Sequence, residues 1–364
     1  MTIPSRPAEG LRLERIEASL QYRDGAFVNT YASTAIAAVP APSMVVTLAE
    51  LLLAGKGRRP DRPLPMWDPR PVWARAADTG LRATWLGHST VLLEMDGLRV
   101  LTDPVWAQRA SPFTFVGPKR FQPVPVDIAA LPPVDVVLIS HDHYDHLDRA
   151  SVLALAAQGA KFVTSLGVGL HLEAWGVPHE RITELDWWEA TEVVDGLTIT
   201  AAPAHHFSGR GLGDGNSTLW SSFALRSNRC SVFFSGDSGL SDAFADIGQR
   251  LGPFDLVMME VGAFHPSWGR VHLGPENALK AWAAIGSGRL LPIHWGTFDL
   301  ATHAWDEPAE VLLMHVPHGR LVMPCLGQPV EPARAEDVTP WWRSLAWGRQ
   351  DWLSNMPTVP SPLE

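Results

Sequence analysis

Residues 134–146 read Val-Asp-Val-Val-Leu-Ile-Ser-His-Asp-His-Tyr-Asp-His, an apolar run that passes directly into imidazoles and carboxylates. The β-branched run predicts a buried strand. Four side chains of metal-ligand type leave its C-terminal end together: His141, His143, Asp145 and His146. Neutral imidazole and carboxylate are preferred donors for zinc and similar ions. A solvated polar loop is the alternative, but this density of donors beside an apolar strand favours a metal site.

The spacing within this loop suits two ions. Alternate residues of a tight loop can point to one side, so His141 and His143 can reach one ion. Asp145 and His146 can then reach a second ion. The loop therefore predicts a binuclear centre.

A further donor follows the predicted strand 197–202, which runs into Pro-Ala-His-His-Phe at 203–207. Adjacent residues cannot both face one ion, so one of the two histidines is a ligand and the other is not. The residues alone leave open whether that ligand is His205 or His206.

Two more donors stand at strand ends. Asp237 follows the apolar run 232–235 in a Gly-Asp-Ser-Gly turn, and its short carboxylate suits a bridge between two ions. His294 follows the apolar run 290–293. Either residue alone is more often structural, but the repeated placement after strands favours metal binding.

Composition narrows the class of protein. The chain has 364 residues, 46% of them hydrophobic, and a formal charge of −10 without a basic run, which disfavours nucleic-acid binding. No apolar stretch reaches the roughly 18–20 residues of a membrane span, and the N-terminus has no secretory h-region. Cys230 and Cys325 have no framework spacing, which is typical of a reducing cytosol. A cytoplasmic protein without thiolate ligands is expected.

The pattern of elements predicts an α/β fold. Strands are expected at 84–86, 90–95, 98–102, 134–139, 161–165, 223–226, 231–235, 256–261 and 289–293, and in a hairpin over 193–202. Helices are expected at 151–158, with Ser151 as a cap, and at 240–251 and 275–285. Strands that feed loops and then helices, twice over, indicate a sandwich with its function at the strand ends.

Residues 1–80 form an N-terminal extension in this interpretation, 81–325 the catalytic domain and 326–364 a C-terminal tail. Within the extension, Met44 to Gly55 reads as a short apolar helix, followed by Lys56, Arg58, Arg59 and Arg62. An apolar helix beside cations can dock on anionic lipid. Packing of this helix on the main domain is the alternative, and it is the favoured one.

The motif His-X-His-X-Asp-His at 141–146 resembles the metallo-β-lactamase superfamily. The chain is most similar to its N-acylphosphatidylethanolamine-hydrolysing phospholipase D branch. The pieces that carry this resemblance lie between about residues 66 and 318: Leu101-Thr-Asp-Pro104, Ala110-Ser-Pro112, Gly117-Pro-Lys-Arg-Phe121, Glu184-Leu-Asp-Trp-Trp-Glu189, Gly252-Pro-Phe-Asp255 and Ile293-His-Trp-Gly-Thr-Phe298. The resemblance implies an αββα sandwich of two halves packed sheet to sheet.

The resemblance also implies a ligand set for two zinc ions, with iron or manganese as alternatives. It assigns His141, His143 and His206 to the first ion, and Asp145, His146 and His294 to the second, with Asp237 as the bridge. It selects His206 because the superfamily places an aromatic residue just after this ligand. Asp103 resembles an early aspartate that accepts a hydrogen bond from a ligand histidine, although an Asx-turn before Pro104 explains it equally well.

The resemblance further implies the reaction. It points to a di-zinc phosphodiesterase that cleaves N-acylphosphatidylethanolamine-like lipids to phosphatidic acid and an N-acylethanolamine through a metal-bridging hydroxide. Asp145, Asp237 and His272 are its implied catalytic residues, and Tyr144 and His272 its implied substrate contacts. For His272 the alternative is a solvent-exposed loop histidine. Peripheral contact with the inner face of the membrane and a homodimer are also expected.

Two other functions fit the same residues. One is a lactonase or small phosphodiesterase that acts on a soluble metabolite, because one fold and one metal pair support many substrates. The other is a metal-binding scaffold without turnover, which the complete ligand set disfavours.

Overall fold

A computed structural model describes residues 8–34, 57–211, 213–265, 270–286 and 288–345 of the chain. Its strands are β1 Tyr22–Arg23, β2 Ala26–Phe27, β3 Leu81–Gly87, β4 Thr90–Met95, β5 Leu98–Thr102, β6 Val136–Ile139, β7 Lys161–Ser165, β8 Ile182–Leu185, β9 Ala190–Val194, β10 Leu197–Ala202, β11 Ser222–Arg226, β12 Ser231–Phe234, β13 Leu256–Glu260, β14 Arg289–Ile293 and β15 Pro329–Val330. Its helices are α1 Gly10–Ala18, α2 Arg70–Trp73, α3 Arg149–Ala157, α4 Gly169–Ala174, α5 Ala243–Leu251, α6 Gly274–Ile285 and α7 Glu307–His315.

The strands form two large sheets. One has the order β15-β3-β4-β5-β6-β7-β8 and the other β14-β13-β12-β11-β10-β9. In each sheet an antiparallel part continues into a parallel part, over β5 to β8 and over β12 to β14. Parallel neighbours need crossover connections, and α3 provides one between β6 and β7.

Alternation along β4 shows how the sheets pack. Val91 and Leu93 belong to a core that also contains Phe223 of the opposite sheet. Leu92 points the other way, into a core shared with Leu155 of α3. Since successive strand residues face opposite sides, one face of this sheet packs on the second sheet and the other on helices. The αββα sandwich is therefore confirmed.

The predicted start of α3 is wrong in detail. The helix begins at Arg149, and its N-cap is Asp148, whose carboxylate accepts from the backbone N–H groups of Ala150 and Ser151. Ser151 instead donates its hydroxyl to the same carboxylate. An aspartate caps a helix at least as well as a serine does. Asp148, which comes before Ser151, therefore sets the N-terminus of α3.

The described parts of both flanking segments pack on the sandwich. Phe27 and Trp342 are fully buried, and β15 joins the edge of the seven-stranded sheet beside β3. Arg58 and Arg59 both pair with Asp299, at 2.5 and 2.8 Å, so two of the predicted docking cations face a carboxylate. The predicted helix over 44–55 lies outside the described residues. Within the described ranges no helix has the length and apolarity of a membrane span.

Arg12 fastens α1 to the sandwich. Its guanidinium donates two hydrogen bonds to Glu173, at 2.7 and 3.0 Å, and one to Glu184 at 2.5 Å. We expect Arg12→Ala to lower the free energy of unfolding at pH 7 by roughly 2–3 kcal/mol, because charged hydrogen bonds between mostly buried groups are lost. The matched control is Arg15→Ala, whose exposed pair with Glu189 should contribute less than about 1 kcal/mol.

The Arg12–Glu173 pair predicts a pH dependence of stability. The hydrogen bond from Arg12 lowers the pKa of Glu173 from 4.5 to about 2. A depressed carboxyl pKa stabilises the fold above the unfolded value and ceases to do so as the pH falls through the folded value. The difference in the free energy of unfolding between wild type and Arg12→Ala should therefore shrink as the pH falls from 4.5 to 2. Chemical denaturation curves measure this difference. Equal destabilisation by the two arginine variants would contradict this role for Arg12.

Candidate metal centre

The loop after β6 is held in place by Asp103, which is fully buried at the end of β5. Its carboxylate accepts from the Ser140 backbone N–H at 2.7 Å and from the Ser140 hydroxyl at 2.6 Å. It also accepts from His146 Nδ1 at 2.7 Å. Asp103 thus connects two neighbouring strand ends and orients a candidate ligand, as second-layer carboxylates do in metal sites.

One group of candidate ligands consists of His141, His143 and His206. His143 Nδ1 lies 2.9 Å from His141 Nε2 and 3.3 Å from His206 Nε2. The outer nitrogens are occupied, since His141 Nδ1 contacts the Ser140 hydroxyl and His206 Nδ1 donates to the Val271 carbonyl. Their Nε2 lone pairs therefore face inward, toward His143 Nδ1, where a cation could accept all three nitrogens as ligands.

The second group consists of Asp145, His146 and His294, with His88 beside them. His146 Nε2 and His294 Nε2 each lie 3.5 Å from Asp145 Oδ2. His88 Nε2 lies 3.0 Å from the same oxygen. Burial lowers the pKa of His88 to about 3, so a neutral His88 donates its proton to Asp145 and orients that carboxylate.

Asp237 lies between the two groups. Its Oδ2 is 3.1 Å from Nε2 of both His146 and His294, and 3.8 and 4.0 Å from Nε2 of His206 and His141. A single carboxylate is therefore within reach of imidazoles from both groups, an arrangement suited to a shared ligand.

The donors fit metal ions by three tests. The first is that buried atoms without a hydrogen-bond partner converge here, among them His146 Nε2, His294 Nε2 and Asp237 Oδ1. The second is that burial, with the neighbouring imidazoles, lowers the pKa of His141 and His206 well below the ordinary value. These two imidazoles are therefore neutral and able to ligate.

The third test is electrostatic. Burial alone raises the pKa of Asp237, but His146 and His294 outweigh it and hold that pKa well below the ordinary value. Burial likewise lowers the pKa of His294, but Asp237 and Asp145 raise it to about 10. The carboxylates of Asp145 and Asp237 thus stabilise positive charge between the ligand groups. A divalent ion can replace the protons that the histidines would otherwise carry there.

His272 and Glu260 form a pair beside the centre. His272 Nδ1 donates to Glu260 Oε2 at 2.8 Å, and Glu260 is fully buried at the end of β13. Glu260 Oε1 accepts from the backbone N–H groups of Ser238 and Leu273, at 2.8 and 3.0 Å. The carboxylate is thereby immobile, and it leaves Nε2 as the free nitrogen of His272.

Tyr144 and His205, the two remaining residues that the sequence analysis singled out, lie at the edge of the candidate metal centre. The Tyr144 hydroxyl donates to the Arg210 carbonyl at 3.0 Å, and the Arg210 guanidinium stacks 3.9 Å from the centre of its ring. His205 points away from the cluster, with Nδ1 3.2 Å from the Tyr31 carbonyl. Of the adjacent pair, the structure therefore brings His206 and not His205 into the group.

Three residues of the site escaped the sequence interpretation: His88, Asn29 and Glu260. Asn29 accepts from the His206 N–H at 3.1 Å and donates to the His206 carbonyl at 2.8 Å, so the N-terminal extension holds a candidate ligand in position. A histidine in the Gly-His-Ser turn between β3 and β4 was the one local signal available. Asn29 and Glu260 carried none, because their roles depend on contacts with distant segments.

The fold and the site together define a metal-dependent hydrolase. A family model described as a β-lactamase superfamily domain matches residues 98–295. The chain is 46% identical over 333 residues to an uncharacterized protein of Mycobacterium tuberculosis (strain ATCC 25618 / H37Rv), covering 90% of this chain and 88% of that protein. The chain therefore belongs to the metallo-β-lactamase superfamily.

Two further proteins are similar to this chain. The N-acyl-phosphatidylethanolamine-hydrolyzing phospholipase D 1 of Caenorhabditis elegans is 40% identical over 248 residues, covering 65% of this chain and 70% of that protein. The structure of the isothiocyanate hydrolase from Delia radicum gut bacteria matches with a TM-score of 0.56 at 20% identity, covering 69% of this chain and 98% of that chain. The second likeness concerns the fold alone.

Proposed function

We propose that this protein is a binuclear phosphodiesterase of the phospholipase D type. It hydrolyses N-acylphosphatidylethanolamine-like phospholipids to phosphatidic acid and an N-acylethanolamine. The observation that carries the proposal is the position of Asp237 within reach of imidazoles from both ligand groups. The likeness to the nematode phospholipase D supports the choice of substrate.

In this proposal two divalent ions, zinc in the first place, bind to the seven candidate ligands. His141, His143 and His206 would hold one ion, Asp145, His146 and His294 would hold the other, and Asp237 could serve both. When bound, such a pair lowers the pKa of a coordinated water and neutralises the charge that develops on a phosphoryl group. The chain's own residues orient the substrate and donate a proton to the leaving-group oxygen.

His272 supplies that proton. Its Nδ1 is held by Glu260, which leaves Nε2 as the nitrogen that can protonate the departing ethanolamine oxygen. An alkoxide is a poor leaving group, and protonation by a fixed imidazole stabilises it. Glu260 acts through His272 as a positioning residue.

Aromatic side chains favour an apolar substrate. Phe207 is 44% exposed, and its ring centre lies 4.6 Å from that of His143. A small pocket adjoins His294, and its lining includes Phe121, Trp295, Phe298 and Trp305. Its arginine, Arg58, is already paired with Asp299. This lining suits a lipid better than a phosphorylated sugar.

His272→Ala and Glu260→Gln should both act on leaving-group departure. On a lipid substrate with an alkoxide leaving group we expect kcat to fall about 10²-fold for His272→Ala. On an activated aryl phosphodiester the loss should shrink to a few-fold. The double variant should be no worse than His272→Ala alone, because Glu260 acts through that ring.

Metal content is the control for this pair of variants and should stay unchanged. Additive losses in the double variant, or equal losses on both substrates, would argue for separate structural or binding roles.

The proposed function is tested on purified full-length protein. We expect elemental analysis to give two zinc, iron or manganese ions per chain, chelation to abolish turnover, and added zinc to restore it. The product assay uses N-acylphosphatidylethanolamine against an acyl-homoserine lactone and a soluble phosphodiester. Hydrolysis of the lactone without release of phosphatidic acid would overturn the proposal.

A further inference from the structure

A hairpin with an apolar tip stands next to the candidate metal centre. We call residues 108–120 the aromatic hairpin. Its two arms pair through Arg120 N–H to the Gln108 carbonyl at 2.9 Å and Ala110 N–H to the Pro118 carbonyl at 3.0 Å. The tip exposes three large apolar side chains, Phe113 by 51%, Phe115 by 78% and Val116 by 51%. Such a contiguous group is unusual on the surface of a protein that meets only water.

The tip is built to hold this shape. The Arg109 guanidinium donates to the carbonyls of Thr114 and Gly117, at 3.2 and 2.6 Å. Gly117 has a φ of +101°, and a Cβ there would come within 2.6 Å of Ser111 Cβ. Both features define the turn that presents the exposed phenylalanines.

The base of the hairpin is joined to the metal centre. Phe121 N–H donates to the Thr297 carbonyl at 2.8 Å, and the Arg120 guanidinium lies 4.7 Å from the centre of the Phe298 ring. Phe298 in turn packs 5.2 Å from His88. The aromatic hairpin is therefore fastened to the loop that carries His294.

The charge around the tip differs from that of the whole chain. The segment 104–126 contains Arg109, Lys119 and Arg120 and no aspartate or glutamate, whereas the chain carries a formal charge of −10. Arg120 is buried at the base of the hairpin, so the cation presented beside the aromatic tip is the exposed Lys119, with the half-buried Arg109 next to it. Exposed aromatic rings beside a cation match an anionic lipid interface, where rings enter the headgroup layer and cations meet phosphates.

We propose that the aromatic hairpin docks this protein on anionic phospholipid surfaces, with Phe113, Phe115 and Val116 entering the bilayer interface. The inference rests on the proposed function, since a phospholipid substrate resides in such a surface. Docking here brings the loop that bears His294 to the membrane, so a lipid can reach the centre without crossing water.

The test uses the metal-loaded full chain and sedimentation with phosphatidylcholine vesicles, with and without phosphatidylglycerol. Phe113→Ser/Phe115→Ser should weaken vesicle binding at least about tenfold, because the buried apolar area is lost. Lys119→Ser should weaken binding to the anionic vesicles about fivefold and leave binding to pure phosphatidylcholine unchanged. The matched control is Leu20→Ser/Met314→Ser, which removes two exposed apolar side chains from other elements and should bind as wild type does.

Hydrolysis of a soluble aryl phosphodiester separates docking from catalysis and should stay within twofold of wild type in all these variants. Vesicle binding by wild type that is lost only in the hairpin variants supports the proposal even if no lipid is hydrolysed, an outcome that would count against the proposed function alone. Unchanged vesicle binding by Phe113→Ser/Phe115→Ser overturns the docking surface. A shift of that variant from dimer to monomer in sedimentation velocity also overturns it, because the tip would then be a protein interface.

Discussion

Asp237→Ala is expected to abolish turnover and to lower the occupancy of both metal positions. The Asp237 carboxylate lies 3.1 Å from His146 and His294 and within 4.0 Å of His141 and His206. In the proposed two-metal centre, its removal would take one ligand from each ion and leave buried histidines without a counter-charge. Loss of such a metal pair would remove several kcal/mol of transition-state stabilisation, or about 10³-fold or more in kcat.

The measurement combines steady-state kinetics with elemental analysis after dialysis. Asp142→Asn is the matched control, because Asp142 lies in the same loop but its carboxylate contacts the Gly209 N–H and His171 and belongs to none of the metal-capable groups. That variant should keep its metal. An Asp237→Ala protein with two ions and near-normal kcat would remove the bridging role.

His206→Ala should lose metal and most activity, whereas His205→Ala should remain close to wild type. His206 Nε2 points at His143 and lies 3.8 Å from Asp237, while His205 faces the Tyr31 carbonyl outside the cluster. Loss of one imidazole from a group of three should reduce metal affinity by at least the 10–100-fold typical of altered supporting residues.

The two histidine variants control for each other, because they lie side by side in one loop and remove the same side chain. Competition with a chromogenic chelator gives the zinc affinity of each without any substrate. The reverse ranking of the two variants would show that the ligand assignment within this pair is wrong.

Local sequence pattern was sufficient to predict strands whose position depends only on neighbouring residues. The strands 90–95, 98–102, 161–165 and 289–293 were predicted at the bounds the structure gives, because alternation and Asp-Gly turns are properties of neighbouring residues. The helix α7 was missed. This helix, Glu-Pro-Ala-Glu-Val-Leu-Leu-Met-His, begins at Glu307 and has a proline at its second position. No side chain caps its N-terminus.

Roles that need a distant partner could not be read from the chain. Trp342 belongs to the predicted C-terminal tail, yet it is fully buried and donates its indole N–H to Glu310 at 2.8 Å. The place of Trp187 also depends on its neighbours, since its indole N–H donates to the Trp220 carbonyl inside a separate core cluster. A tryptophan packs equally well in a core or at a site, so only its neighbours distinguish the two.

The sequence by itself determined the metal loop, because His141 to His146 lie on one short segment at the end of one strand, and it determined the order in which the later donors follow strands. Only the tertiary structure decided which nitrogen of three of the imidazoles faces the centre, through the contacts made by Asp103, Ser140 and Val271. It also placed Asn29 against His206 and Glu260 against His272. Ligand type is a property of the residue, whereas the direction of a lone pair is set by a hydrogen bond from a segment that is distant in sequence.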